Sequence, residues 1–322
     1  MLYIGTLGTL GTPYQITTLT VGMVALVLWA APGSGAEAIQ HGFVATDESG
    51  QQVLRVDPAH PFRNWRVPLQ ARDLQLVGNE RLLVSVLSGY RELSLADGTV
   101  VRQVDGFDRI FTARRTAAGH TFLGGYGGTT AIQIIELGPD DKPLATIAVD
   151  PLVTDIRLMR LTPTGTFLLG SGKDLCEVDR AGRIVWKLTL PDANHIYKAV
   201  RLPDGHTLAA SGYGAFLAEL APDGAVVRTL GKSENQRVKA PFFFADFQIL
   251  ANGHIVVCNW MGHQREDSRK GPQLNEYDAA GNLVWTWHDA EMAGCLHGII
   301  VLDGLDTARL HTDLQGVLAP AP

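Results

Sequence analysis

Apolar residues along most of this chain come in short runs that alternate with glycine-containing turns. Residues 161–190 read LTPTGTFLLGSGKDLCEVDRAGRIVWKLTL, and residues 202–230 read LPDGHTLAASGYGAFLAELAPDGAVVRTL. Residues 250–287 repeat the phrase with one insertion, and weaker copies begin at Val77 and Thr116. Each copy predicts four short strands. Asp-Gly or Asn-Gly between apolar runs is a strong hairpin signal. No stretch of useful length carries a 3.6-residue apolar stripe, so helices are not expected.

The turn glycines Gly98, Gly182, Gly224 and Gly281 mark one repeat position. Their spacing corresponds to a step of about 42 residues, lengthened once by the insertion, which suits a propeller blade. A lone four-stranded meander has two apolar faces and nothing to cover them, whereas radial stacking buries both. Residues 39–289 hold six units, but the first lacks a strand before Phe43. The segment LHGIIVL, residues 296–302, can supply it and close the ring. The expected fold is therefore all-β, a six-bladed β-propeller closed by a C-terminal strand and spanning residues 39–322. Seven blades is the alternative, if residues 307–318 form further strands.

The first 38 residues break the pattern. Residues 21–31 read VGMVALVLWAA, followed by small residues up to Ala38, which resembles a secretory signal with cleavage near Ala36 or Ala38. The run is too short for a comfortable membrane span of about 20 residues. The segment lacks the usual basic start, because the first Lys or Arg is Arg55. We expect a secreted or periplasmic protein with no stable membrane span after cleavage. Cys176, Cys258 and Cys295 show no metal or redox spacing and read as small apolar strand residues.

Composition narrows the partners. At 46% hydrophobic residues the chain can bury a large core, so disorder is excluded. A net charge of −6 argues against nucleic acid as a partner. The sequence holds no G-x-S-x-G, phosphate-binding loop, H-E-x-x-H or EF-hand pattern.

The phrases VDRAGRIVWKL (178–188) and YDAAGNLVWTW (277–287) resemble the repeats of quinoprotein-like (PQQ-like) and arylsulfotransferase-like β-propellers. The resemblance implies that Trp186 and Trp285 pack between blades. It does not extend to the quinone site, which goes with eight blades, a longer chain and a vicinal cysteine pair, so bound PQQ is not expected.

In a propeller the starts of the inner strands and the turns after the second strands surround one channel mouth. The inner-strand starts hold Asp73, Thr112, Arg157 or Leu158, Lys198, Asp246 and His297. The ends of the second strands add Asp47, Tyr126, Lys173, Tyr213, Asn259 and Trp260. The insertion at residues 261–272 contributes His263, and the long loop before it ends in three phenylalanines, Phe242, Phe243 and Phe244. His297, Asp246, Lys198 and His195 are the candidate acid–base cluster. Asp73, Tyr126, Arg157, Lys173, Tyr213, Asn259, Trp260 and His263 are the candidate ligand contacts. His263, Asp246 and His297 could hold a divalent metal, although no spacing assigns one. His120, His206 and His254 follow turn glycines and fall on the opposite face. Two functions fit: binding of a small molecule, glycan or protein at the mouth, or a transferase, lyase or hydrolase acting there on a small anionic or carbohydrate-like substrate.

Overall fold

The computed structural model describes residues 39–233, 236–237 and 241–321. The expected signal segment, residues 1–38, lies outside them. Six antiparallel sheets of four strands form the ring, each built as the sequence grammar predicts. Blade 1 takes its innermost strand, Leu296–Val301, from the C-terminal region and its next, Phe43–Asp47, from the first described residues. Blades 2 to 6 begin at Leu74–Leu76, Ile110–Arg115, Arg160–Leu161, Ala199–Arg201 and Phe243–Ile249. The four turn glycines have φ between +75° and +92°. At Gly182 a Cβ would also lie 1.9 Å from the Ala148 carbonyl oxygen, so the repeat position requires glycine twice over.

Inner and middle strands are buried on both faces, and outermost strands alternate between half-buried and exposed residues, as in Ile184–Thr189. Separate apolar clusters fill the wedges between blades. The three cysteines are free and buried; Cys258 and Cys295 share the cluster between blades 6 and 1.

A polar latch crosses every seam. Each third strand of blades 2 to 6 carries a glutamate, and blade 1 has Arg55 at that position. Arg55 donates to the Leu95 carbonyl of blade 2, and Arg115 of blade 3 pairs with Glu92 of blade 2. Arg180 reaches Glu136, and Arg201 reaches Glu177 while lying 4.2 Å over Trp186. Arg228 bonds Glu219 in its own blade and the Ala279 carbonyl of blade 6. His41 closes the ring: it pairs with Glu276 at 3.0 Å and Asp303 at 2.6 Å and meets Trp285 edge-on. Both tryptophans thus pack between blades, as the repeat resemblance implies. His120, His206 and His254 lie in turns on the far face and bond Glu136, Glu219 and Glu276.

Residues 307–318 do form strands, but they do not make a seventh blade. His311–Gln315 and Val317–Pro320 form a hairpin, joined to the inner strand of blade 6 by one parallel pair, Ile249 with Val317. The hairpin crosses the far end of the axis. The Gln75 amide donates to the His311 carbonyl, and Asp313 pairs with Arg160 and Lys198. The far end is therefore closed by this chain's own C-terminal segment.

The seam at His41 gives a pH prediction. Burial opposes the charged ring, but Asp303 and Glu276 outweigh it and raise the His41 pKa from 6.5 to about 9. The stabilisation is complete below pH 6.5 and is lost as pH rises through 9, for a total on the order of 3 kcal/mol. Denaturant midpoints of the native chain should fall between pH 6.5 and 9, and His41→Asn should remove that part of the slope. An unchanged slope in the variant would show that the pair is not closing the ring.

Candidate functional site

The inner strands meet around the axis, and their residues fall into layers. The residue after the mouth row in each blade is Asp73, Thr112, Leu158, Lys198, Asp246 or Gly298. Three bonds to the neighbouring blade establish that register: Asp73 accepts from the Ala113 N–H, Thr112 from Met159 and Asp246 from Ile299. This layer is buried. Asp73 is fully enclosed, bonded to the Thr112 hydroxyl and paired with Arg114 at 2.9 Å. Lys198 pairs with Asp246 at 2.9 Å and donates to the Phe247 carbonyl. With Arg160 and Asp313 added, the axis holds three carboxylates and three cations, two arginines and a lysine. Attraction to Arg160, Arg114 and Lys198 overcomes burial and holds the Asp313 carboxyl well below the usual range.

Asp73, Lys198 and Asp246 therefore do not face the mouth; they fill the channel beneath it. Asn259 is also buried, bonding the Phe242 N–H and the Pro272 carbonyl. Lys173 is exposed and donates to the Pro191 carbonyl. Asp47 is buried and braces its turn through Gly50, Gln52 and Gly294.

The row that faces the mouth lies one residue earlier: Arg72, Phe111, Arg157, Tyr197, Ala245 and His297. β-Bulges raise it. Thr46 pairs with Gly298 but Asp47 with Leu296, leaving His297 as the extra residue. Ile110 pairs with Gly125 and Thr112 with Gly124, leaving out Phe111. Ser85 bonds the Arg72 N–H but the Asp73 carbonyl, and Ala210 bonds the Tyr197 N–H but the Lys198 carbonyl. An extra residue of this kind re-aims a side chain at a sheet end. Bulges leave no mark in a repeat alignment, so His297 and Arg157 were found while Arg72, Phe111 and Tyr197 were missed. Reading one position earlier along each strand would have found them.

Five of these residues, all but Ala245, line a cavity of about 520 Å³, a normal size for a small-molecule site. Tyr126, His195, Tyr213, Trp260 and His263 join its wall, with Glu48, Arg109, Asp155 and Phe243. Seven of the twelve sequence candidates thus come together here: His297, His195, Tyr126, Arg157, Tyr213, Trp260 and His263.

Most charges in the wall are already matched. Arg157 holds Asp155 at 2.5 Å and donates to His195 Nε2. Arg109 bonds the Thr129 carbonyl and lies 5.0 Å over Tyr126. Glu48 accepts from the Trp260 indole N–H and bonds His263. Arg72 is the exception. It lies 4.9 Å over Phe111, and one of its nitrogens is 3.5 Å from the Tyr197 hydroxyl. Among the described residues no carboxylate pairs with it.

Two histidines of the cavity, buried His297 and half-buried His195, are shifted toward the neutral form. Burial, then Arg72, pushes the His297 pKa well below 6.5. Its Nε2 donates to the Ala71 carbonyl, leaving Nδ1 as the acceptor. Burial, then Arg157, lowers His195 as well. His195 also holds a left-handed backbone, φ +69°, a strain that tends to mark functional positions. His, Cys, Asp and Glu donors converge closely enough for a metal only at Asp204, His206 and Glu219 among the described residues, on the far face. There Arg228 already holds one Glu219 oxygen.

No protein-family model matches the chain, and no curated protein does. Solved structures match its fold. A Bacteroides caccae protein of unknown function superposes with a TM-score of 0.68 at 20% identity, over 80% of this chain and 97% of that one. A streptogramin B lyase follows at 0.56 and 12%, over 86% and 88%. Regucalcin from Agrobacterium tumefaciens, described as a calcium-binding protein, gives 0.50 and 13%, over 78% and 94%. At these identities the likeness is one of fold: the chain is a β-propeller.

Two measurements check this site. Arg160→Met leaves the three axial carboxylates with two cations and should cost about 3–5 kcal/mol in urea unfolding; a loss below about 1 kcal/mol would mean the axial charges are hydrated. Imidazole ¹⁵N spectra should show His297 neutral, with its proton on Nε2, down to pH 6. A charged ring at that pH would contradict the burial and the nearby Arg72 charge that disfavour it.

Proposed function

We propose that this protein binds a small organic anion in the mouth cavity, in an exported setting supported by the apolar run before residue 39. The observation that carries this is Arg72. A guanidinium on a half-enclosed floor, without a carboxylate, is poised to take the charge of a ligand. Arginine presents a planar fork suited to carboxylate, sulfate or phosphate oxygens. The Tyr197 hydroxyl beside it can donate to the same group.

A second reading, an enzyme of the lyase, transferase or hydrolase type, is favoured by His297, shifted toward the neutral form. A base held unprotonated beside an anion-binding arginine suits proton transfer. One structural neighbour is a lyase, which is consistent with this alternative and lends it no residue.

The test is calorimetric titration of the purified full chain with small carboxylates, sulfates, phosphates and uronic acids. At least one class should bind, and Arg72→Met should weaken it ten-fold or more without lowering the melting temperature of the free protein. Lys173→Met, at the rim, should leave affinity unchanged. Binding that survives Arg72→Met, or no binding by any class, overturns the proposal.

A further inference from the structure

We infer that the anion carries a planar aromatic ring, and that Tyr213 and Phe242 select it. This rests on the anion-binding reading above and names the class of ligand. The cavity is lined by three arginines, Arg72, Arg109 and Arg157, and by a connected series of rings, Tyr197, Phe243, Tyr213 and Trp260, to which Phe242 is joined just outside the lining. Tyr197, on the floor beside Arg72, meets Phe243 edge-on at 5.7 Å. Phe243 meets Tyr213 at 4.7 Å, and Tyr213 meets Phe242 at 5.6 Å. Trp260 packs against all three of Phe243, Tyr213 and Phe242. The series thus runs from the anion position out to the rim.

The rim rings are left in water. Tyr213 is 44% exposed and Phe242 45%. A single exposed aromatic is ordinary, but two in mutual contact, joined to a buried series, form a place for another ring. Edge-to-face packing continues naturally onto a flat π system and less well onto a puckered ring.

Hydrogen-bonding capacity separates an aromatic ring from a sugar. A sugar stacked on aromatics needs polar partners around its edge. At this end the Glu48 and Asn259 side chains are engaged within the protein. Both Glu48 oxygens are used, by the Trp260 N–H and by His263. The Asn259 side chain holds Phe242 N–H and the Pro272 carbonyl. A cation without a carboxylate partner among the described residues lies at the other end, Arg72 beside the Tyr197 hydroxyl. A ligand with its charge at one end and an apolar ring at the other matches both halves.

The experiment titrates the full chain with acetate, cyclohexanecarboxylate, benzoate and 2-naphthoate, followed by calorimetry and by ¹H–¹⁵N spectra. Affinity should rise at least thirty-fold from acetate to 2-naphthoate, with benzoate tighter than cyclohexanecarboxylate. Tyr213→Ser and Phe242→Ser change exposed side chains, so the fold should persist. Each should erase most of the aromatic gain while leaving acetate binding in place, whereas Arg72→Met should weaken all four. If the carboxylates bind through Arg72 but 2-naphthoate gains nothing, or the serine variants keep the gain, this inference fails and the anion reading stands. If none of the four binds, this inference fails, and the anion reading is decided by the sulfate, phosphate and uronate titrations above.

Discussion

The axis is the constraint on which the rest of this molecule depends. Six wedge-shaped sheets meet at a line where their inner strands must place side chains, and a hole there would admit water between the blades. This chain fills it with charge. Asp73, Asp246 and Asp313 meet Arg114, Arg160 and Lys198, and Asp313 comes from the hairpin that crosses the far end. Removing one member would strand its partners in a dry place, where an unpaired charge is costly. The network therefore ties the C-terminal hairpin to blades 2, 4 and 5. It also decides that the cavity has one opening.

Ring closure works at the periphery as the charge network works at the axis. The first described strand sits second in its blade, with the C-terminal Leu296–Val301 inside it. His41 then joins Glu276 of blade 6 to Asp303 beyond the closing strand. The seam where the two chain ends meet is thus held by main-chain pairing, by a buried ion pair and by an apolar cluster shared between blades 6 and 1.

The repeat made the fold legible. Turn glycines at a common step, and strands apolar on both faces, admit few arrangements other than radial stacking. The missing first strand of blade 1 and the surplus LHGIIVL segment pointed to the closure that the structure has. The hairpin was less readable. Residues 307–318 have strand character, but only the Asp313 contacts, contributed by blades far apart in sequence, show that they cap the axis. The glutamates of the third strands were legible as a pattern, yet their partners come from different positions in each blade, so the latch could not be read from spacing.

The site was half legible for a sharper reason. Position along a strand tells which end a residue occupies, while a bulge decides which way it faces. At the mouth an inserted residue lifts His297, Phe111 and Tyr197 toward the cavity and leaves Gly298, Thr112 and Lys198 in the channel. Gly298 shows what the alternative would cost: a Cβ there would lie 2.2 Å from the Thr46 hydroxyl. Blade 1 thus combines a glycine in the packed layer with a histidine in the layer above, within two consecutive residues. The two layers divide the polar groups. Charges below are matched to one another and hold the ring; Arg72 above has no carboxylate partner among the described residues. The buried carboxylates are satisfied within the network, whereas the Arg72 guanidinium lies over Phe111 at the cavity floor, and the proposed anion site rests on that difference.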